Sequence, residues 1–426
     1  MQRILFYLTL SITMHAAVLS VEDAVAMALK NHPDAYVASM RYESAKADSR
    51  SVQAALRPRI DLNGEYFPTK TFVMPANGVF STRQNDAFHT DISASYTIWD
   101  FGRTRDRYHA SLSSEEESGA NKETIQNALI EQVWFQYYSL GYIASVIDTA
   151  EISVRFYQAQ LNQATGMRQA GLKTIADESR FKASLMEAEE RLRAAHAAWD
   201  KTQNALGLLI GSEEKFTIDN NDLKKRALEI PSIAQSENLR ADMSASNPQL
   251  AALRAKIERS KALFDAQNKE AYGTVSIVGS YGYDNSLSSY DSSQLGIRGT
   301  IPLYDGGKLS ADAEKSKIAL DIARKEFESA EKALWQELYS SYRDFNRADE
   351  TIAAKDGVID ANQKALALSE GRYAQGLATY VDILESQNAL DNARNEYAEA
   401  NFLKIQAWAH IQRLLNKGCE NDVCKH

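Results

Sequence analysis

Few side chains in this 426-residue chain are spaced for covalent chemistry. Its seven histidines (His15, His32, His89, His109, His196, His410 and His426) are scattered. No H-E-x-x-H pair, G-x-S-x-G elbow or phosphate-cradling glycine loop occurs, so neither a catalytic centre nor a cofactor is expected. Cys419 and Cys424, with only His426 near them, offer too few ligands for a metal. In an exported chain the same pair suits a small disulfide loop. The informative residues are acidic and stand at two turns. Gly171-Leu172-Lys173-Thr174-Ile175-Ala176-Asp177 returns 205 residues later as Gly376-Leu377-Ala378-Thr379-Tyr380-Val381-Asp382. Glycine ends one helix in the left-handed conformation. Thr followed three residues later by Asp is the capping box that opens the next. A cap is worth about 0.5–2 kcal/mol and accounts for Asp177 and Asp382 by itself. Glu385 follows Asp382 by one turn on the same face, where a solvated carboxylate is ordinary.

Each turn is therefore the tip of a helical hairpin, and the rest of the chain supplies the arms. Residues 20–57 have a helical pattern that must break or restart near Asn31, because Pro33 lies inside it. A similar phrase at Asn247-Pro248-Gln249-Leu250 opens an alanine-rich helix reaching about Tyr272. After each, the period switches to two. Ile60, Leu62, Gly64 and Tyr66 alternate with polar residues, as do Ile92, Ala94, Tyr96 and Ile98. Val275, Ile277, Gly279 and Tyr281, then Leu295, Ile297, Gly299 and Ile301, repeat the pattern. Four strands of about ten residues, apolar on one face and with aromatics near the ends, fit transmembrane β-strands. A half-buried soluble hairpin gives the same alternation. The segment from about Phe67 to His89 is expected as a long loop; its counterpart, about Asp284 to Ser293, is shorter.

The strands end in matched corners, Trp99-Asp100-Phe101-Gly102-Arg103 and Tyr304-Asp305-Gly306-Gly307-Lys308. Beyond the first, proline-free sequence runs to about Ala170, roughly 100 Å if helical. Ile125, Leu129, Val133, Leu140, Ala144 and Ile147 make a narrow stripe, matched by Leu334, Leu338, Tyr342 and Phe345. Such a stripe fits a coiled-coil seam. Helices are expected from about Ile175 to Leu209 and from about Tyr380 to Asn416. The layout is a signal peptide at 1–17, a first repeat at 18–211 and a connector at 212–245. A second repeat at 246–416 and a polar tail at 417–426 complete it. The β-hairpins fall at about 59–99 and 274–302, and the tips at 171–177 and 376–382.

Arg3, the apolar run Ile4–Ile12 and Ala16-Ala17 make the export signal. No later run is long and apolar enough for a spanning helix. The formal charge of −9, which becomes −10 without Arg3, argues against nucleic acid as a partner.

The repeated order of helix, two strands, long helix, Gly-Leu turn and helix resembles the TolC family of outer-membrane channels. So do Asp23-Ala24 to Pro33, Tyr304-Asp305-Gly306-Gly307, and Tyr373-Ala374-Gln375-Gly376 through Thr379-Tyr380-Val381-Asp382-Ile383-Leu384. The resemblance covers nearly the whole mature chain. It implies a mixed α+β membrane protein built as a tandem repeat. Three chains give four strands each to one twelve-stranded barrel, and their coiled-coil helices extend it into a periplasmic tunnel. The strands agree: four cannot close, an open edge in lipid leaves backbone groups unsatisfied, and eight would be filled by side chains.

The resemblance further implies an exit duct for efflux or type I secretion, docked by a periplasmic adaptor and an inner-membrane pump or ABC transporter. The tips would be its periplasmic constriction. Asp382 and Glu385, with Asp177 as the equivalent of Asp382 in the first copy, match acidic positions just inside that entrance; as threefold rings they would favour cations. Tyr373 matches a tyrosine tying neighbouring helices at the closed tip, and packing alone also explains it. The position that can carry its arginine partner is Ala378, with Lys173 or Arg372 as substitutes. Gly171, Leu172, Gly376 and Leu377 would shape the surface an adaptor grips, or be turns only. Two other readings stand: a soluble periplasmic coiled-coil adaptor whose β-segments fold on themselves, and an enzyme, for which no motif speaks.

Overall fold

A computed structural model describes residues 18–76, 79–212, 216–219, 221–231, 233, 238–286 and 288–417. The expected signal peptide and the Cys419–Cys424 pair lie outside the described residues. The chain divides into two compact units. One comprises Ala38–Lys122 and Pro248–Glu331, the other Met1–Val37, Glu123–Asn247 and Lys332–His426.

Helix α1 (Val21–Asn31) is capped by Ser20, whose hydroxyl accepts from the Asp23 N–H at 3.1 Å. The expected break falls at His32, and Pro33 opens α2 (Pro33–Ala54), a position where its missing N–H costs nothing. Strands β1 (Arg59–Ala76), β2 (Val79–Trp99), β3 (Thr274–Asp284) and β4 (Tyr290–Thr300) form one antiparallel sheet in sequence order. The first hairpin departs from expectation. Among the described residues its supposed loop from about Phe67 to His89 is strand, with β1 and β2 paired as far as Ala76 and Val79. Pro68 is accommodated because the register shifts between Phe67 and Lys70, a bulge that spares it a ladder bond. Pro75 is tolerated because β1 is an edge strand.

The register sorts the faces. Leu62, Ile92 and Tyr281 form one cross-strand row, Ile60, Ala94, Gly279 and Leu295 the next, and Tyr96, Ile277 and Ile297 a third. This face is bare: Leu62 is 75% and Leu295 84% exposed. The opposite face is polar, with rows Asn63–Asp91–Gly282–Ser292 and Asp61–Ser93–Ser280–Gln294. A β-carbon on Gly282 would come within 2.7 Å of the Thr90 carbonyl and the Asp91 β-carbon, so glycine is required there. A second register shift, between Thr97 and Trp99, pairs Trp99 with Val275 on the apolar face. Trp99 then packs on Phe101 at 5.9 Å, and Phe101 on Tyr272 at 5.1 Å. This aromatic group sits where the strands meet the helices, the usual level of an interfacial belt.

Both corners use one device. Asp100 accepts from the N–H groups of Gly102 (3.0 Å) and Thr104 (2.7 Å). Asp305 accepts from Gly307 (3.0 Å) and Leu309 (2.6 Å). The carboxylate turns the strand and caps the helix that follows. Those helices are α3 (Arg103–Gln169) and α8 (Lys308–Ala374), each of 67 residues. They return as α4 (Ile175–Ile210) and α9 (Tyr380–Leu414). Short helices α5 (Asp222–Glu229) and α6 (Asn238–Ser246) lie in the connector, and α7 (Pro248–Lys269) leads back to the sheet.

The α3 seam is wider than the stripe suggested. Leu129, Val133, Leu140 and Ala144 are buried as expected, and so are Trp134, Tyr137, Tyr138 and Ile143. The connector explains it. Arg226 of α5 lies 4.9 Å over the Trp134 ring, and Leu223 reaches Gly141. Tyr137 donates to the Leu19 carbonyl at 3.0 Å. A charged clamp ties α9 to both long helices: His410 lies 2.5 Å from Glu131 and 2.8 Å from Glu337, and Arg413 pairs with both carboxylates.

Candidate functional site

The two tips have nearly identical backbones. At the first, the Leu172 N–H donates to the Met167 carbonyl (2.8 Å) and the Gly171 N–H to Arg168 (3.0 Å). At the second, Leu377 donates to Arg372 (2.8 Å) and Gly376 to Tyr373 (2.9 Å). This six-to-one and nested pattern closes a helix when the next residue is left-handed. Gly171 and Gly376 have φ of 73° and 76°. Leu172 and Leu377 are left 72% and 65% exposed.

The capping boxes form in both copies and are tighter in the second. Asp177 accepts from the Thr174 N–H at 3.3 Å and its hydroxyl at 3.1 Å. For Asp382 and Thr379 the distances are 2.6 and 2.8 Å, and the Asp382 N–H also donates back to the Thr379 hydroxyl at 3.3 Å. The Thr379 N–H, then its hydroxyl, holds the exposed Asp382 carboxyl below its usual range. Asp382 and Glu385 are exposed on successive turns of α9, while Asp177 is half-buried.

Tyr373 is fully buried at the end of α8, among Tyr157, Ala164, Phe181, Leu185, Ala378 and Ile383. Its ring meets Phe181 edge-on at 5.6 Å, and Phe181 meets Tyr380 the same way at 4.8 Å. The Tyr380 and Ser184 hydroxyls are 2.6 Å apart. The Lys173 ammonium stands 4.5 Å over the Tyr373 ring. Of the two cations proposed to replace an arginine at Ala378, Lys173 therefore meets the tyrosine; Arg372 acts at longer range on Asp382. Burial, then the Asp177 charge, pushes the Tyr373 hydroxyl above its usual range, and that hydroxyl has no hydrogen-bond partner among the described residues. The sequence reading missed Phe181, Ser184 and Tyr380. The available signal was Phe181, four residues after Asp177 on the inward face of α4.

A second polar group lies deeper between the same helices. Asp391, 8% exposed, accepts from Ser153 at 2.6 Å and Gln387 at 2.8 Å. Burial, the largest influence, raises its carboxyl despite both donors. Glu370, which accepts from Gln160 at 3.0 Å, is likewise raised by burial. Among the described residues no cluster of His, Cys, Asp or Glu could hold a metal, and no helix is long and apolar enough to cross a membrane.

An exposed apolar sheet face, a polar opposite face and duplicated long helical hairpins define a subunit of a membrane-spanning β-barrel duct. The chain belongs to the outer membrane efflux protein family, whose model matches residues 24–212 and 239–417. It is 22% identical to the probable efflux pump outer membrane protein SepC of Pseudomonas putida, over 94% of this chain and 84% of that protein. It is also 22% identical to the alkaline protease secretion protein AprF of Pseudomonas aeruginosa, over 93% and 84%. Among solved structures, VceC of Vibrio cholerae superposes with a TM-score of 0.81 at 17% identity, covering 93% of this chain and 95% of its own. The open state of MtrE from Neisseria gonorrhoeae gives 0.79 at 18%, over 93% and 89%. This protein is thus an outer-membrane channel component of export, and each chain carries one four-stranded antiparallel sheet. The soluble-adaptor reading is set aside.

Proposed function

We propose that three copies assemble into a passive exit duct, docked by a periplasmic adaptor and powered by an inner-membrane pump or ABC transporter. The supporting observation is the four-stranded sheet with one bare apolar face and two unpaired edges, β1 and β4. Each unsatisfied backbone group in lipid costs several kcal/mol, so the edges demand partners. Among multiples of four, twelve strands is the first to leave an aqueous bore. The relatives include both efflux and protease-secretion components, so the cargo is a small molecule or a protein. No catalytic step is assigned.

The tips act as the periplasmic constriction. Asp382 and Glu385 are its charged lining, with Asp177 chiefly a cap and Tyr373 the packed pivot beneath. Gly171, Leu172, Gly376 and Leu377 form the adaptor-facing turns. The repeat boundaries, 18–211 and 246–416 about the connector 212–245, follow the two capped hairpins. The deciding experiment extracts outer membranes in detergent and asks for a heat-resistant trimer that conducts ions in planar bilayers. A soluble monomer without conductance overturns the reading.

A further inference from the structure

The first β-hairpin outgrows the second. β2 pairs with β3 only from His89 to Trp99, whereas β1 and β2 continue together from Phe88 to Val79. A two-stranded ribbon therefore projects beyond the sheet, at the end away from the helical corners. At about 3.4 Å per residue those ten β2 residues extend it by roughly 30 Å.

The bulge at the foot of this ribbon decides which side chains face which way. Below it, Asp61, Asn63, Glu65 and Phe67 share the polar face with Ala87, His89 and Asp91. Without a bulge, alternation would put Thr69 next on that face and turn Lys70 to the apolar side. Because the register skips from Phe67↔Ala87 to Lys70↔Asn85, Lys70 joins the polar face, followed by Phe72 opposite Arg83. The rings confirm the placement: Lys70 Nζ lies 5.3 Å from the Phe67 ring and 5.5 Å from that of Phe72. From Tyr66 to Asn85 no acidic residue occurs, and Asp86 stands on the other face of β2.

The sheet below has the opposite sign. Its polar face carries Asp61, Glu65, Asp91 and Asp284, with His89 3.3 Å from each of Asp91 and Asp284. Arg59 is spent on Asp61 at 2.8 Å, and Arg298 lies toward the corner end. The charge along this face thus inverts at the bulge.

We propose that Lys70 and Arg83, contributed by three ribbons, form a basic collar at the external mouth that sets the charge preference for solutes leaving the duct. It draws anionic solutes outward and turns cations back, above an acidic band of opposite preference. Rings of side-chain charge act in this way in other pores. The inference rests on the trimeric-duct reading, since a ribbon lines a mouth only when three surround it.

The test uses the full-length trimer in planar bilayers under a KCl gradient, with pyrophosphate added on the external side as an anionic probe. Wild-type channels are expected to be blocked by pyrophosphate. In Lys70→Gln/Arg83→Gln the block weakens by roughly fivefold or more, and the chloride-to-potassium permeability ratio falls about twofold. Inserting one serine between Asn85 and Asp86 matches the extra residue of β1 without a bulge and turns Lys70 and Arg83 to the outer face, so it shifts the ratio in the same direction with no change of charge. Unchanged block and ratio in the double variant overturn the collar while conductance persists. Absence of conductance in the wild type would instead overturn the duct.

Discussion

The ammonium of Lys173, on the first tip, lies 4.5 Å over the ring of Tyr373, on the second. The two copies of the hairpin are thereby joined by a cation and an aromatic face. The Tyr373 hydroxyl has no hydrogen-bond partner among the described residues. Tyr373→Phe is expected to stay within about 0.5 kcal/mol of wild type, whereas Tyr373→Ala loses about 3–5 kcal/mol of buried packing. Lys173→Met removes about 0.5–1 kcal/mol. Thermal unfolding of the purified protein ranks the three. A Phe variant as damaged as the Ala variant would show that the hydroxyl is used between subunits.

Asp391 is a pH-sensitive group of the hairpin core. Its folded carboxyl is raised by burial, so the folded state holds its proton more tightly than the unfolded chain does. Stability is therefore greatest below the ordinary value of 3.8 and declines as pH rises through the elevated folded value. Asp391→Asn keeps the shape and removes the buried charge. It should raise the melting temperature at pH 8 and flatten the decline that begins above 3.8. A lower melting temperature at pH 8 would show the charge to be satisfied beyond Ser153 and Gln387.

Asp382 behaves in the opposite sense. Its carboxyl is held below 3.8 by Thr379, so its capping contribution is present above that value and is lost as pH falls through the lowered one. As part of the proposed constriction it stays charged in mildly acidic solution. Asp382→Ala with Glu385→Ala is expected to reduce cation preference and block by divalent cations in single-channel recordings. Unchanged selectivity removes both from the pore lining.

The apolar sheet face makes a demand of its own. Ile297 lies in the row with Ile277 and Tyr96, 75% exposed in a single chain. Ile297→Arg places a charge against hydrocarbon at a cost of about 2–4 kcal/mol per subunit near mid-bilayer. Trimers recovered from membranes should fall steeply, while Gln294→Arg on the polar face is tolerated. Equal recovery of both variants would mean that this face does not meet lipid.

The sequence made the repeat legible because local chemistry carried it. Gly171 and Gly376 had to be left-handed, Thr174 and Thr379 had to cap, and the structure has both. The alternation at Ile60–Tyr66 and Val275–Tyr281 likewise named the strands and their apolar face. What escaped detection depended on neighbours distant in the chain. Pro68 and Pro75 looked like loop markers, since nothing local reveals that a bulge absorbs one and an edge position the other. The breadth of the α3 seam was invisible because it is set by the connector, through Leu223 and Arg226. The meeting of Lys173 with Tyr373 spans 200 residues, and only their three-dimensional placement chose it over Arg372.

The unpaired edges of β1 and β4 have a consequence for biogenesis. A lone newcomer at the bilayer has no permissible way in, because its flanks would face oil with their amides empty. For the proposed trimer, entry and counting to three must then be one event, and its rate should climb steeply with the supply of fresh chains. Cells making too little would accumulate waiting monomers rather than small leaky pores.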